Sequence, residues 1–167
     1  MTLEEVHSNF EVAPEYKVTK VDGATAQLLG GHGGVLLGQN FLVGAGLYTM
    51  VSGSHHQGLT YGGGLVAWEP WATRGLGLSV RGLIGAGQGT ATQTVTLLTR
   101  DRRELTSSRL FDSRCFVAEP QADVLLRLTR RLKLQVGGGY RFVGDSHAAD
   151  QFKGATGSVA LRIGSAE

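Results

Sequence analysis

The stretch "LKLQVGGGYRFVGD", Leu132 to Asp145, decides how this chain is read. Leu132, Leu134, Val136, Tyr140 and Phe142 fall on one side of a period-2 repeat, and Lys133, Gln135 and Arg141 on the other. That is the alternation of a strand with one apolar and one polar face. Three glycines interrupt it, although glycine in a strand removes side chains that would pack. The question is which face meets water.

The same period recurs along the 167 residues, and helical periodicity is nearly absent. It predicts eight strands: 10–20, 24–37, 41–51, 59–71, 75–99, 110–129, 132–143 and 152–163. The expected fold is therefore an all-β, eight-stranded antiparallel up-and-down (meander) β-barrel. One barrel domain spans 10–163, with tails at 1–9 and 164–167.

Glycine is the compositional outlier, with 26 residues, about double the usual ~7%. These glycines lie inside apolar segments, so they belong to folded structure and not to a linker. The net charge of +2 is spread along the chain without a long block of one sign, so nucleic acid is not an expected partner. A single Cys115 leaves no internal disulfide framework, and no Cys/His spacing suits zinc. The opening "MTLEEVHSNF" has no charged n-region or apolar core, so no secretory leader is expected in it. No apolar run is long enough for a transmembrane helix, which leaves membrane strands open.

The connections add direction. In a meander they alternate between rims. "GQN" (38–40), "ATR" (72–74) and "RR" (130–131) share one rim and are tight. "VDG", "SGSHHQG", "RDRRELTSSR" and "GDSHAADQ" share the other, and only the first of these is short. The fifth and sixth strands are longer than the rest and are expected to project beyond a bilayer. Two Glu-Pro pairs, Glu69-Pro70 and Glu119-Pro120, follow apolar segments. Proline cannot donate to a ladder, so each is expected to mark a bulge or a strand end.

Sorting by parity gives an apolar face containing Leu126, Leu128, Leu132, Leu134, Val159 and Leu161. The opposite face contains Glu69, Arg81, Glu119, Asp123, Arg127 and Arg141. Turned apolar-in, this sheet is a soluble lipocalin-like barrel binding a small apolar ligand or lipid. Turned apolar-out, it is a membrane barrel with those six residues as a lumenal charge network. The narrow interior of eight strands and the asymmetry of the loops favour apolar-out. Phe41, Trp68 and Trp71 then form an aromatic belt at the short-turn rim, with Phe142, Phe152 and Tyr48 toward the other.

The eight-strand meander, the tight turns at one rim, and the segments "YGGGLVAWEP" and "VGGGYRFVGD" resemble small bacterial outer-membrane β-barrels over 10–163. Such barrels commonly end in an aromatic residue used in assembly, and the "GSAE" ending departs from that pattern. The expectation is a non-enzymatic barrel of the bacterial outer membrane, serving as a structural anchor or as a membrane-embedded subunit of an envelope complex. Its expected partners are outer-membrane lipid or lipopolysaccharide and other envelope proteins, with no cofactor.

Candidates for chemistry lie in the long loops and in two glycine-rich segments. His147 with Ser146 and Asp145 or Asp150, and His55-His56, lie in long-loop segments where a lipid-modifying hydrolase would carry its catalytic group. Sequence adjacency does not make a triad, and the ordinary reading is polar loop residues. His55-His56 lacks a third spaced metal ligand. His32 in "GGHGG" is expected as a packed or lumenal histidine. "GAGQG" (85–89) has neither the Lys-Ser/Thr element nor a following helix of a phosphate loop.

Overall fold

The computed structural model describes residues 9–21, 24–38, 40–52, 57–71, 75–97, 105–144 and 153–164. Eight antiparallel strands follow one another and close into a barrel, β8 pairing back on β1. They are β1 (Asn9–Val21), β2 (Ala24–Leu37), β3 (Phe41–Ser52), β4 (Gln57–Trp68), β5 (Leu76–Leu97), β6 (Leu105–Arg127), β7 (Leu132–Gly144) and β8 (Gly154–Gly164). Each strand pairs with the next, so closure leaves no free strand at either side of the sheet.

The predicted order and number of strands match, and the differences lie at the ends. β6 begins at Leu105, not 110, because Thr and Ser carry the strand there without apolar alternation. β4 stops at Trp68, which puts Trp71 in the turn, with a left-handed φ of 64°. Pro70 follows a strand end as expected. Pro120 marks neither a bulge nor an end. The β6–β7 pairs stop at Ala118↔Phe142 and resume at Gln121↔Gly139 in the same register, so the missing N–H leaves a gap without a shift.

The wall is turned apolar-out. In β8 the alternation is strict: Ala155, Val159, Leu161 and Ile163 point outward, while Thr156, Ser158, Ala160 and Arg162 are buried inside. β1 repeats it, with Phe10, Val12, Tyr16 and Val18 outward and Glu11, Glu15, Lys17 and Thr19 buried. The apolar-in barrel, and with it a hollow apolar ligand chamber, is the alternative this arrangement overturns.

The glycines of β7 now have a reason. An eight-stranded wall curves tightly, and Gly137 and Gly139 face inward where the neighbouring strand crowds them. A Cβ on Gly137 would collide with Asp123 Oδ1 and the Ala122 carbonyl; one on Gly139 would collide with the Pro120 carbonyl and Gln121. The absent side chains make room for lumenal side chains of β6.

Candidate functional site

The lumen is filled by side chains from every strand. Its polar part begins with the inward positions of β1, which alternate Glu11, Ala13, Glu15, Lys17 and Thr19. Further charges arrive on β5 to β8 and at Glu69 just after β4, and three connected groups result.

The middle group centres on Arg81. Its guanidinium pairs with Glu15 through both Nη atoms, Nη1 donating to Oε2 at 2.9 Å, and its Nε lies 2.8 Å from Asp123 Oδ2. Tyr48 Oη donates to Glu15 Oε2 at 2.6 Å, and His32 Nδ1 lies 3.0 Å from the same oxygen. Gln135 Nε2 donates to Asp123 Oδ2 at 2.7 Å. A buried charge without such partners would cost several kcal/mol.

Nearer the long-loop rim, Lys17 pairs with Glu119, whose other oxygen accepts from Tyr61 Oη at 2.8 Å. Tyr48 and Tyr61 stack with centroids 5.3 Å apart. Lys17 Nζ sits 3.6 Å from the Tyr48 ring centre and the Arg141 guanidinium 5.5 Å from that of Tyr61, cation–π contacts that hold both cations in place. Arg141 also donates to Thr19 Oγ1 at 3.2 Å.

At the short-turn rim, Arg162 bridges Glu69 at 2.6 Å and Glu11 at 3.3 Å, and Lys133 donates to Glu11 at 2.9 Å. Ser79 Oγ donates to Glu69. Among the described residues, the inward acids Glu11, Glu15, Glu69, Glu119 and Asp123 match the inward cations Lys17, Arg81, Lys133, Arg141 and Arg162 in number.

An apolar cluster fills the rest: Leu28, Leu36, Leu42, Leu59, Leu65, Leu83 and Val117, with Val143 and Cys115. Leu28, Leu59 and Val143, near the long-loop ends of their strands, and Val117, paired with Val143, are at most 1% exposed.

Of the residues picked out by sequence, Glu69, Arg81, Glu119, Asp123 and Arg141 come together inside the barrel. Arg127 does not. Parity aims it inward, but it is the last residue of β6, where its backbone N–H meets the Gly75 carbonyl and its side chain is exposed beyond the packed interior. Leu126, Leu128, Val159 and Leu161 lie exposed on the outer surface; Leu132 and Leu134 are also outward but half-buried.

Phe41 and Trp68 pair across β3 and β4 and are exposed together with Trp71. Phe142 is exposed at the far end of β7, its ring 4.9 Å from that of Tyr140. Tyr48 does not join an outer belt: it shares the inward parity of Leu42 and Gly46 and is 1% exposed. His32 is buried in the lumen. His55, His56, Asp145, Ser146, His147, Asp150 and Phe152 lie outside the described residues.

Glu15, Lys17, Glu11, Arg162 and Tyr61 are central here without having been singled out as site residues, and Tyr48 joins them from the belt where it was expected. The signal for Glu11, Glu15 and Lys17 was present in "FEVAPEYKVTK", whose alternation is as clean as that of β7. Among the described residues, no group of His, Cys, Asp and Glu is arranged to hold a metal ion.

No protein-family model matches the sequence, and no curated protein is similar to it. Solved structures are similar in fold. The N-terminal β-barrel domain of Pseudomonas aeruginosa OprF superposes with a TM-score of 0.66 at 12% identity, over 94% of this chain and 97% of that one. Neisserial surface protein A superposes at 0.65 and 10% identity, over 93% and 96%. The Yersinia pestis outer membrane protein Ail superposes at 0.53 and 10% identity, over 95% and 100%. At these identities the likeness carries the fold: a small eight-stranded up-and-down barrel.

Proposed function

We propose that this chain is a non-enzymatic barrel of the bacterial outer membrane, a structural anchor or membrane-embedded subunit of an envelope complex, with a lumen that is a plug and not a pore. The observation that carries the reading is the inverted wall, ion pairs inside and a largely apolar surface outside among the described residues. In water that arrangement leaves large side chains such as Leu47, Leu76 and Ile84 solvated at about 60% exposure. An outer apolar patch of this size marks a surface meant to be covered. A bilayer covers it all round, and a closed barrel leaves no backbone group unpaired in hydrocarbon.

Short turns at one rim fit the periplasmic side and longer connections the extracellular side. In that orientation Leu126, Leu128, Leu132, Leu134, Val159 and Leu161 contact acyl chains. Phe41, Trp68 and Trp71 stand at the periplasmic headgroup level and Phe142 near the outer one, where lipid or lipopolysaccharide is the partner and other envelope proteins are within reach. The ion pairs of Arg81, Lys17 and Arg162, with the apolar cluster beside them, support the plug.

The test is refolding followed by conductance. The chain is expected to fold as a β-rich monomer only with detergent or lipid, and to produce no steady single-channel current in planar bilayers. A folded monomer in plain buffer would overturn the membrane reading, and a stable open channel would overturn the plug.

A further inference from the structure

The exposed charge of the short-turn rim, among the described residues, is gathered in one place. The β2–β3 turn contributes Gly38 and Asn40, and the β4–β5 turn contributes Pro70, Trp71 and Gly75 beyond the buried Glu69. The β6–β7 turn instead has Arg130 and Arg131, and Arg127 ends β6 just before it. All three arginines are exposed. Lys133 and Arg162, which also lie at this rim, are turned inward onto Glu11 and Glu69. Among the described residues, no carboxylate pairs with Arg127, Arg130 or Arg131.

The backbone holds these arginines in a fixed frame. Leu128 and Thr129 donate their N–H groups to the Leu132 carbonyl at 2.9 and 3.0 Å. Thr129 Oγ1 accepts from the N–H groups of Arg131 and Leu132 at 3.3 and 3.1 Å. Neighbouring segments tie the turn on both sides: Arg127 N–H donates to the Gly75 carbonyl and Gly164 N–H to the Arg131 carbonyl, each at 3.0 Å. The outward positions next to the arginines are apolar. Leu128 is 54% exposed, and Leu126 is exposed together with Leu76, its partner on β5.

An occupant of this corner has to answer both features, cations without a carboxylate and a leucine surface running up from them. We propose that the β6–β7 turn docks an anionic phospholipid, its phosphate headgroup on Arg127, Arg130 and Arg131 and its acyl chains on Leu126, Leu128 and Leu76. A guanidinium presents a planar fork of donors that matches phosphate oxygens, and cations beside a bilayer surface attract anionic lipid. A zwitterionic lipid brings its own cation to the phosphate, and a free phosphate has no chains for the leucines. The proposal deepens the membrane reading and rests on it.

The test uses the full chain refolded in phosphatidylcholine vesicles, with Trp68 and Trp71 replaced by Phe and Leu128 replaced by Trp as the reporter. A small fraction of either phosphatidylglycerol or phosphatidylcholine, brominated in its acyl chains, is included. At equal mole fraction the phosphatidylglycerol is expected to quench about threefold more strongly. The Arg127→Ala/Arg130→Ala/Arg131→Ala variant should lower that quenching to the phosphatidylcholine level, with Arg130→Ala/Arg131→Ala, both changes in the exposed turn, lying between. Inorganic phosphate at matched ionic strength should leave the preference unchanged. Equal quenching by the two lipids, a preference that survives the arginine variants, or one that inorganic phosphate abolishes would each overturn the lipid site. Quenching by neither lipid would instead overturn the membrane reading beneath it.

Discussion

The two sides of the lumen are filled in opposite ways. The inward positions of β2, β3 and β4 are largely apolar, with Leu28, Leu36, Leu42, Leu59 and Leu65, whereas β1 and β8 contribute Glu11, Glu15, Lys17, Thr156, Ser158 and Arg162. Tyr48 and Tyr61 stand between them, their rings against each other and their hydroxyls on Glu15 and Glu119. The difference shows what each side requires. The apolar side is held by shape, and its residues tolerate change in proportion to the volume they lose. The charged side is held by mutual neutralisation, so one deletion strands its partners.

The largest expected effect follows from that asymmetry. Arg81→Ala leaves Glu15 and Asp123 buried without their shared cation and should destabilise the barrel by about 3–5 kcal/mol. Urea unfolding in micelles measures it, and a loss under about 1 kcal/mol would mean that water enters the lumen freely. On the other side, Leu42→Ala should cost about 2–4 kcal/mol, through lost packing and the cavity it leaves. The two sides then separate by rescue. Adding Asp123→Asn to Arg81→Ala should recover part of the loss, because one stranded charge is removed, whereas no neutralising partner exists for Leu42→Ala. Equal behaviour of the two sides would erase the distinction.

Smaller still is Arg127→Ala. Exposed at the end of β6, it should change stability by no more than about 0.5 kcal/mol in the same titration. A loss comparable with that of Arg81→Ala would place Arg127 within the network after all.

The contrast also explains what was legible in the sequence. β7 and β8 alternate without ambiguity, so their inward and outward faces follow from parity alone. β1 is as clear, and Glu15 and Lys17 follow from it by the same rule. β2 and β3 are different. "LLGGHGGVLL" places Leu on both parities, because the lumen beside it is apolar too, and neither side is marked. Tyr48 was misplaced for that reason.

Parity also says which way a residue points without saying where the packed interior ends, and Arg127 lies just past that end. The early start of β6 was hidden because its first residues, "LTSSR", carry no apolar alternation.

The central claim is that the apolar face meets lipid, and depth-dependent fluorescence quenching tests it most directly. With Trp68 and Trp71 replaced by Phe and Ile84, outward and 62% exposed, replaced by Trp, the refolded barrel is placed in bilayers carrying bromine at defined acyl positions. The account predicts strong quenching by bromine deep in the chains and none by aqueous iodide. Quenching by iodide with no response to bromine at any depth would put that face in water and contradict it.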